Sequence, residues 1–226
     1  MFDSSSLALL RLLQLANPTL PIGTFAYSQG MEHAVHAGWI NDEATTRIWI
    51  RGLLLHSVAR LDVPLLARFH RAWACADDDA VRHWSHWLAA SRESKELQLE
   101  DQQVGRALAR LLAGLGYERA MSFAKLAPTS FAASFAYGAV CFEIPITPAA
   151  QGYVSSWLDN QIASAIKLIP LGQSAGQRVI HGLLPDVLQA VHRGIEWEDD
   201  DIGASAPGLA LGSALHETQY SRLFLS

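Results

Sequence analysis

Apolar residues in this chain return every three or four positions, and each run is closed by proline or glycine, a pattern that favours helices over a sheet. Leu9, Leu12, Leu13 and Ala16 repeat in this way behind the serines at 4–6, which offer N-caps, until Asn17 and Pro18 stop the run. Pro18, Pro21 and Gly23 mark an ordered loop, after which Met31, Ala34 and Val35 restart the spacing as far as Gly38. Asn41 can cap the next helix, with Asp42 and Glu43 in its first turn and Ile48, Leu55 and Ala59 on its apolar side. The pattern predicts further helices over 64–74, 79–91 and 92–112, the last closed by Gly114 and Gly116. Ser130 caps a helix over 131–142, Pro148 opens one that ends at Pro170, and a pair over 173–184 and 186–192 flanks Pro185. No stretch alternates with period two between turn signals. The expected fold is all-α: a compact helical body over 1–195, an acidic linker over 196–208 broken by Gly203, Pro207 and Gly208, and a C-terminal tail over 209–226.

Half of the 226 residues are hydrophobic and 17% are charged, far from the composition of a disordered chain. At this length folding hides roughly 70 to 75% of the surface the open chain exposes, so a core forms without staples. Seventeen Lys plus Arg against 22 Asp plus Glu leave a net charge of -5, which argues against nucleic acid or an anionic membrane as the main partner. Cys75 and Cys141 lack the close spacing of a zinc or redox motif, so a reducing cytoplasm is the expected location. Phe2 and Asp3 supply no basic leader, and the most apolar run, 131–142, is shorter than the roughly 18 residues of a spanning helix.

Nine histidines raise a metal reading, because His33 with His36 and His83 with His86 stand three apart on one helical face. A helical metal-binding or storage protein is the alternative function these pairs support. Neither pair has a third ligand in sequence, and no metal ligand is assigned. Gly172 and Gly176 lie in a stretch without the Gly-Lys-Ser/Thr of a P-loop or a preceding strand, and read as a helix stop and a close helix contact. Ser28 lacks the glycine pattern of a nucleophile elbow. No catalytic residue and no cofactor are assigned; an enzyme would have to use Glu32, Glu96 and a histidine as an acid/base set. The run 92–97, with Glu100 and Asp101 beyond, places Arg92 and Glu96 as i,i+4 neighbours on a charged helix, either a solvated face or a docking surface. Lys167 closes an apolar helix, where a cation satisfies terminal carbonyls or meets a partner. The stretch 216–224 carries Tyr220, Arg222 and Phe224 beyond the acidic break, as a docking tail or as an element folded on its own core.

Five separated motifs then carry a resemblance. Leu13-Gln14-Leu15-Ala16-Asn17-Pro18-Thr19-Leu20-Pro21-Ile22-Gly23, Tyr27-Ser28-Gln29-Gly30-Met31-Glu32, Arg92-Glu93-Ser94-Lys95-Glu96-Leu97, Lys167-Leu168-Ile169-Pro170-Leu171-Gly172-Gln173 and the stretch 216–224 together resemble the UreF family of urease accessory proteins, in the family's order and over essentially the whole chain. The family commonly ends in Leu-Phe-Arg-Ser, whereas Leu225 stands at the arginine's place here. The resemblance implies an all-helical, non-enzymatic maturation factor that assists nickel insertion into apo-urease. Such a factor bridges UreD, called UreH in some species, and the GTPase UreG, modulates that GTPase, and forms a homodimer within the assembly. Carried onto this sequence, Glu32, Glu96, Lys167 and Arg222 would face UreG or the urease complex. Tyr220 and Phe224 would serve the UreD side, and His216 belongs to the same partner-binding set. The tail is expected to be mobile in the free chain and ordered on docking.

Overall fold

The computed structural model describes residues 4–125 and 128–226; Phe2, Asp3 and the capping side chains expected at 4 and 5 lie outside what it describes. The chain forms α1 (Ser4–Leu15), α2 (Met31–His36), α3 (Glu43–Leu53), α4 (Val63–Ala74), α5 (Asp78–Ser91), α6 (Lys95–Gly114), α7 (Arg119–Phe123), α8 (Phe131–Cys141), α9 (Ile146–Leu168), α10 (Gln173–Glu196) and α11 (Pro207–His216). No strand occurs among the described residues, so the fold is all-α.

The core is built around α8. Ser130 caps it by accepting the Ala133 N–H, and small residues at 132, 133, 136, 138 and 139 let its neighbours approach closely. Helices α4, α6 and α9 surround it, α1 closes one side, and α10 lies along α9. Phe69, Phe135, Leu65, Leu66, Leu108 and Leu112 are fully buried there, each worth about 1.5–3 kcal/mol of transfer free energy. Gly176 packs on Ile162 and Ile166, the close helix contact expected of it.

Four expectations change. The cap of α3 is Asp42, not Asn41: its carboxylate accepts the Thr45 N–H at 2.7 Å and Thr45 answers in a capping box. After Leu53 the helix widens into a π-helical stretch, Leu54–Asp62, marked by the Val63 N–H reaching back to the Val58 carbonyl. Ile50, Leu54 and Val58 point inward together with the expected Ala59, whereas Ile48, which precedes the π-helical stretch, is exposed. Around Pro185 there is one helix, α10, rather than two. The hydrogen bond lost at Pro185 is outweighed by Val179, Leu183, Val187, Ala190 and Val191, which bury one continuous stripe. Finally, the chain beyond the acidic stretch does not lead away from the body. Arg68 and Arg60 hold the acidic turn, Arg68 Nε donating to Asp199 at 2.8 Å and Arg60 Nε to the Gly203 carbonyl at 3.2 Å. Pro207 then occupies the first turn of α11, where its missing N–H costs nothing.

Candidate partner-docking site

Three helix ends meet where α11 crosses the starts of α2 and α6. The chain enters α2 through two consecutive left-handed residues, Gln29 (φ 53) and Gly30 (φ 75). A Cβ on Gly30 would come within 3.0 Å of the Ser213 nitrogen, and one on Gly212 within 3.1 Å of the Gly30 oxygen, so backbone rests on backbone here. The Ser28 hydroxyl accepts the Glu32 N–H at 3.2 Å. Ser94 caps α6 by accepting the Leu97 N–H at 3.1 Å, and its hydroxyl lies 2.5 Å from that of Ser213. Both α2 and α6 place a glutamate in the first turn, Glu32 and Glu96, and α11 places His216 in its last. Each glutamate sits at the helix end whose dipole favours its charge. The buried His216 ring lies with Nδ1 2.7 Å from Glu96 Oε2 and Nε2 3.2 Å from Glu32 Oε2.

The segment after α11 is stitched to the same groups. Arg222 donates to Glu96 Oε1 at 2.8 Å. Glu32 accepts the Leu223 N–H at 2.7 Å and the Phe224 N–H at 2.9 Å. The Leu225 N–H reaches the Ala26 carbonyl at 2.8 Å, and the Ser226 carbonyl accepts from both the backbone and the hydroxyl of Ser28 at 2.8 and 2.6 Å. Glu100 accepts the Ser226 hydroxyl and the Gln29 amide, each at 2.7 Å. Burial pushes the Glu100 carboxyl up to about 7, against the downward pull of those two hydrogen bonds. The Phe224 ring is buried with the Lys167 ammonium 5.3 Å from its centroid; that ammonium also lies 5.9 Å from the Phe25 ring and 3.5 Å from the Phe25 carbonyl. Leu223 and Leu225 turn outward, and Tyr220 stands wholly in solvent.

Six of the seven partner-binding residues expected from sequence thus form one network: Glu32, Glu96, His216, Arg222 and Phe224 directly, and Lys167 through Phe224. Tyr220 is the seventh. Glu32 is buried and Glu96 nearly so, and both are engaged in holding the 217–226 segment. Lys167 reaches across to Phe25 and Phe224 instead of capping its own helix. Ser28, Gln29, Ser94, Glu100 and Ser213 complete the site. Of these only Ser94, a serine ahead of an acidic first turn, carried a local signal.

The charged run at 92–97 is not a continuous helical face. Arg92 is extended between α5 and α6 (φ -71, ψ 129), and its guanidinium turns inward to Asp62 at 2.7 Å and Asp101 at 2.9 Å. Tyr153 also donates to Asp62, and Asp101 accepts the Phe131 N–H at 2.8 Å. Burial opposes the Arg92 charge, but Asp101 and Asp62 more than offset it and hold the group well above its ordinary range. A cavity of about 190 Å³ opens beside this trio, lined also by Glu93, Glu100 and Asp159. Burial pushes the Glu93 and Asp159 carboxyls up. Neither Glu32, Glu96 nor His216 lines it, so the three that would form an acid/base set face no substrate space there. Among the described residues no three His, Cys, Asp or Glu side chains converge as a metal site. The His33 and His36 rings lie 6.4 Å apart, with His33 packed edgewise against Trp39. No helix among the described residues is long and apolar enough to cross a membrane.

The chemistry this arrangement supports is the holding of a chain segment. The UreF family model matches residues 40–184. A urease accessory protein UreF from Alkalilimnicola ehrlichii is 46% identical over 220 residues, covering 97% of this chain and 96% of that protein. Those of Chromohalobacter salexigens and Marinobacter nauticus are each 45% identical over 220 residues, covering 97% of this chain and 95% of theirs. On identity and coverage together, the chain belongs to the UreF family of urease accessory proteins.

Proposed function

We propose that this chain is a non-enzymatic maturation factor of urease, an adaptor that bridges UreD (UreH) and the GTPase UreG during nickel insertion into apo-urease and modulates that GTPase. It works in the cytoplasm, as a homodimer within the assembly. The observation that carries this reading is the 217–226 segment: its backbone is fixed by buried carboxylates while Tyr220, Leu223 and Leu225 project outward. An aromatic residue and aliphatic neighbours on a pre-ordered base are the kind of anchors that interfaces use, and pre-ordering lowers the entropy lost on docking. The C-terminal residues are therefore a docking element that is already folded, with Arg222 and Lys167 as its charged rim. The chain holds no phosphate-cradling loop in its sequence, so the nucleotide belongs to the partner.

Mixing the chain with UreD and UreG and measuring complex mass, with and without GTP and nickel, tests the reading. A ternary complex is expected, together with no GTP binding by the isolated chain. Absence of any complex with UreD and UreG, or saturable GTP binding by the chain alone, overturns it.

A further inference from the structure

The carboxylates of Glu32 and Glu96 stand one at each nitrogen of the His216 ring, and the ring is closed off from solvent. A carboxylate only accepts, and a neutral imidazole has a single N–H. With one proton on the ring, one of the two contacts would set a nitrogen lone pair against a carboxylate where water does not reach. With two protons both contacts become charge-assisted hydrogen bonds. The charge count agrees: Glu32 and Glu96 bring two negative charges, balanced by an imidazolium and by the Arg222 guanidinium on Glu96. These are the charged groups that face the ring from α2, α6 and the segment beyond; α11 itself adds none. Glu100, one turn further along α6, faces Ser226 and Gln29 instead.

The consequence reaches the backbone through Glu32. Its Oε2 accepts from the Phe224 N–H while facing His216, and its Oε1 accepts from the Leu223 N–H. Whatever moves this carboxylate removes the acceptor for two successive amides of the docking segment. We propose that His216 is a proton-operated latch: doubly protonated it clamps Glu32 and Glu96 together, and loss of its second proton as the pH rises frees residues 217–226 from the body. The hold is present on the mildly acidic side and lost on the alkaline side. Strong acid would also weaken it, by protonating Glu32 and Glu96. The latch goes beyond the adaptor reading and does not depend on any partner.

The test uses the full chain alone. Nitrogen-15 spectra of the His216 ring report its protons, and hydrogen exchange at Leu223 and Phe224, corrected for the intrinsic pH dependence of exchange, reports the seating of the segment. Expected are a doubly protonated ring at about pH 6 and a loss of protection at these two amides of about tenfold or more by about pH 8.5, in step with the ring and with α8 unaffected. His216→Gln, with no ionisation at that ring, should give low protection without the wild-type transition; Asp79→Asn, which removes an exposed carboxylate outside this network, should keep the wild-type profile. Protection in the wild-type chain that stays flat across this range overturns the latch. So does a singly protonated ring at about pH 6, the missing proton then lying on a carboxyl, or a transition that disappears in Glu100→Gln. Should His216→Gln fail to fold, the wild-type ring and amide profiles decide alone.

Discussion

Arg92 is the residue whose role differs most from its sequence neighbourhood. Among Glu93, Lys95 and Glu96 it reads as one charge of a solvated run, yet it bridges two buried carboxylates, Asp62 and Asp101. Removing it strands Asp62 and Asp101 without a counter-charge, so Arg92→Met should cost about 3–5 kcal/mol in urea unfolding. A loss below about 1 kcal/mol would mean that the two aspartates are satisfied by other groups. Nothing local could reveal this, since Asp62 lies 30 positions away and the turn that aims Arg92 inward is set by the Ser94 cap just after it. Glu100 makes the same point through pH. Its folded carboxyl titrates at about 7 instead of 4.5, so the neutral form is the one the fold favours, and the stability it confers is full below about pH 4.5 and lost as the pH rises through about 7. Glu100→Gln removes the ionisation, and should flatten the fall in stability across that window; an unchanged slope would assign it to other groups.

At the scale of elements, the sequence was legible wherever a helix end carries its own chemistry. Ser130 and the acidic first turn of α3 announce starts, and Gly38 and Gly116, both left-handed, announce stops. What local patterns could not announce is where tertiary burial overrules a local rule. The π-helical stretch Leu54–Asp62 shifts the inward face by widening the turn, which a fixed 3.6-residue spacing cannot register. Pro185 is the clearer case, because α10 continues through it on the strength of a buried stripe. Pro185→Ala should therefore restore a backbone hydrogen bond without disturbing that stripe, and raise stability by up to about 3 kcal/mol. A lower melting temperature in the variant would show that the proline ring itself packs in a way alanine cannot replace.

For the molecule as a whole, the candidate residues were legible as a set but their arrangement was not. Glu32 and Phe224 are 192 positions apart, and only the folded chain brings them to one carboxylate. The division into a body and a separate tail dissolves for the same reason, since the last described residues are part of the packed surface. The side chains of Tyr220, Leu223 and Leu225 nonetheless stand outward from it, with Leu223 and Leu225 held only by their backbones. Tyr220→Ala combined with Leu223→Ser should leave stability within about 0.5–1 kcal/mol of wild type while abolishing association with the UreD-like partner. Undiminished association would move the docking surface elsewhere on the molecule. The distance in sequence between Glu32 and its amide partners also sets an order of events during biosynthesis. Leu223 follows Glu32 by 191 positions, which take roughly 10 to 40 s to be made at ordinary rates of translation. Until then the Glu32 carboxylate lacks its two amide partners, and the proposed docking surface is not assembled. The docking role proposed above is thereby reserved for chains that the ribosome has finished past Phe224.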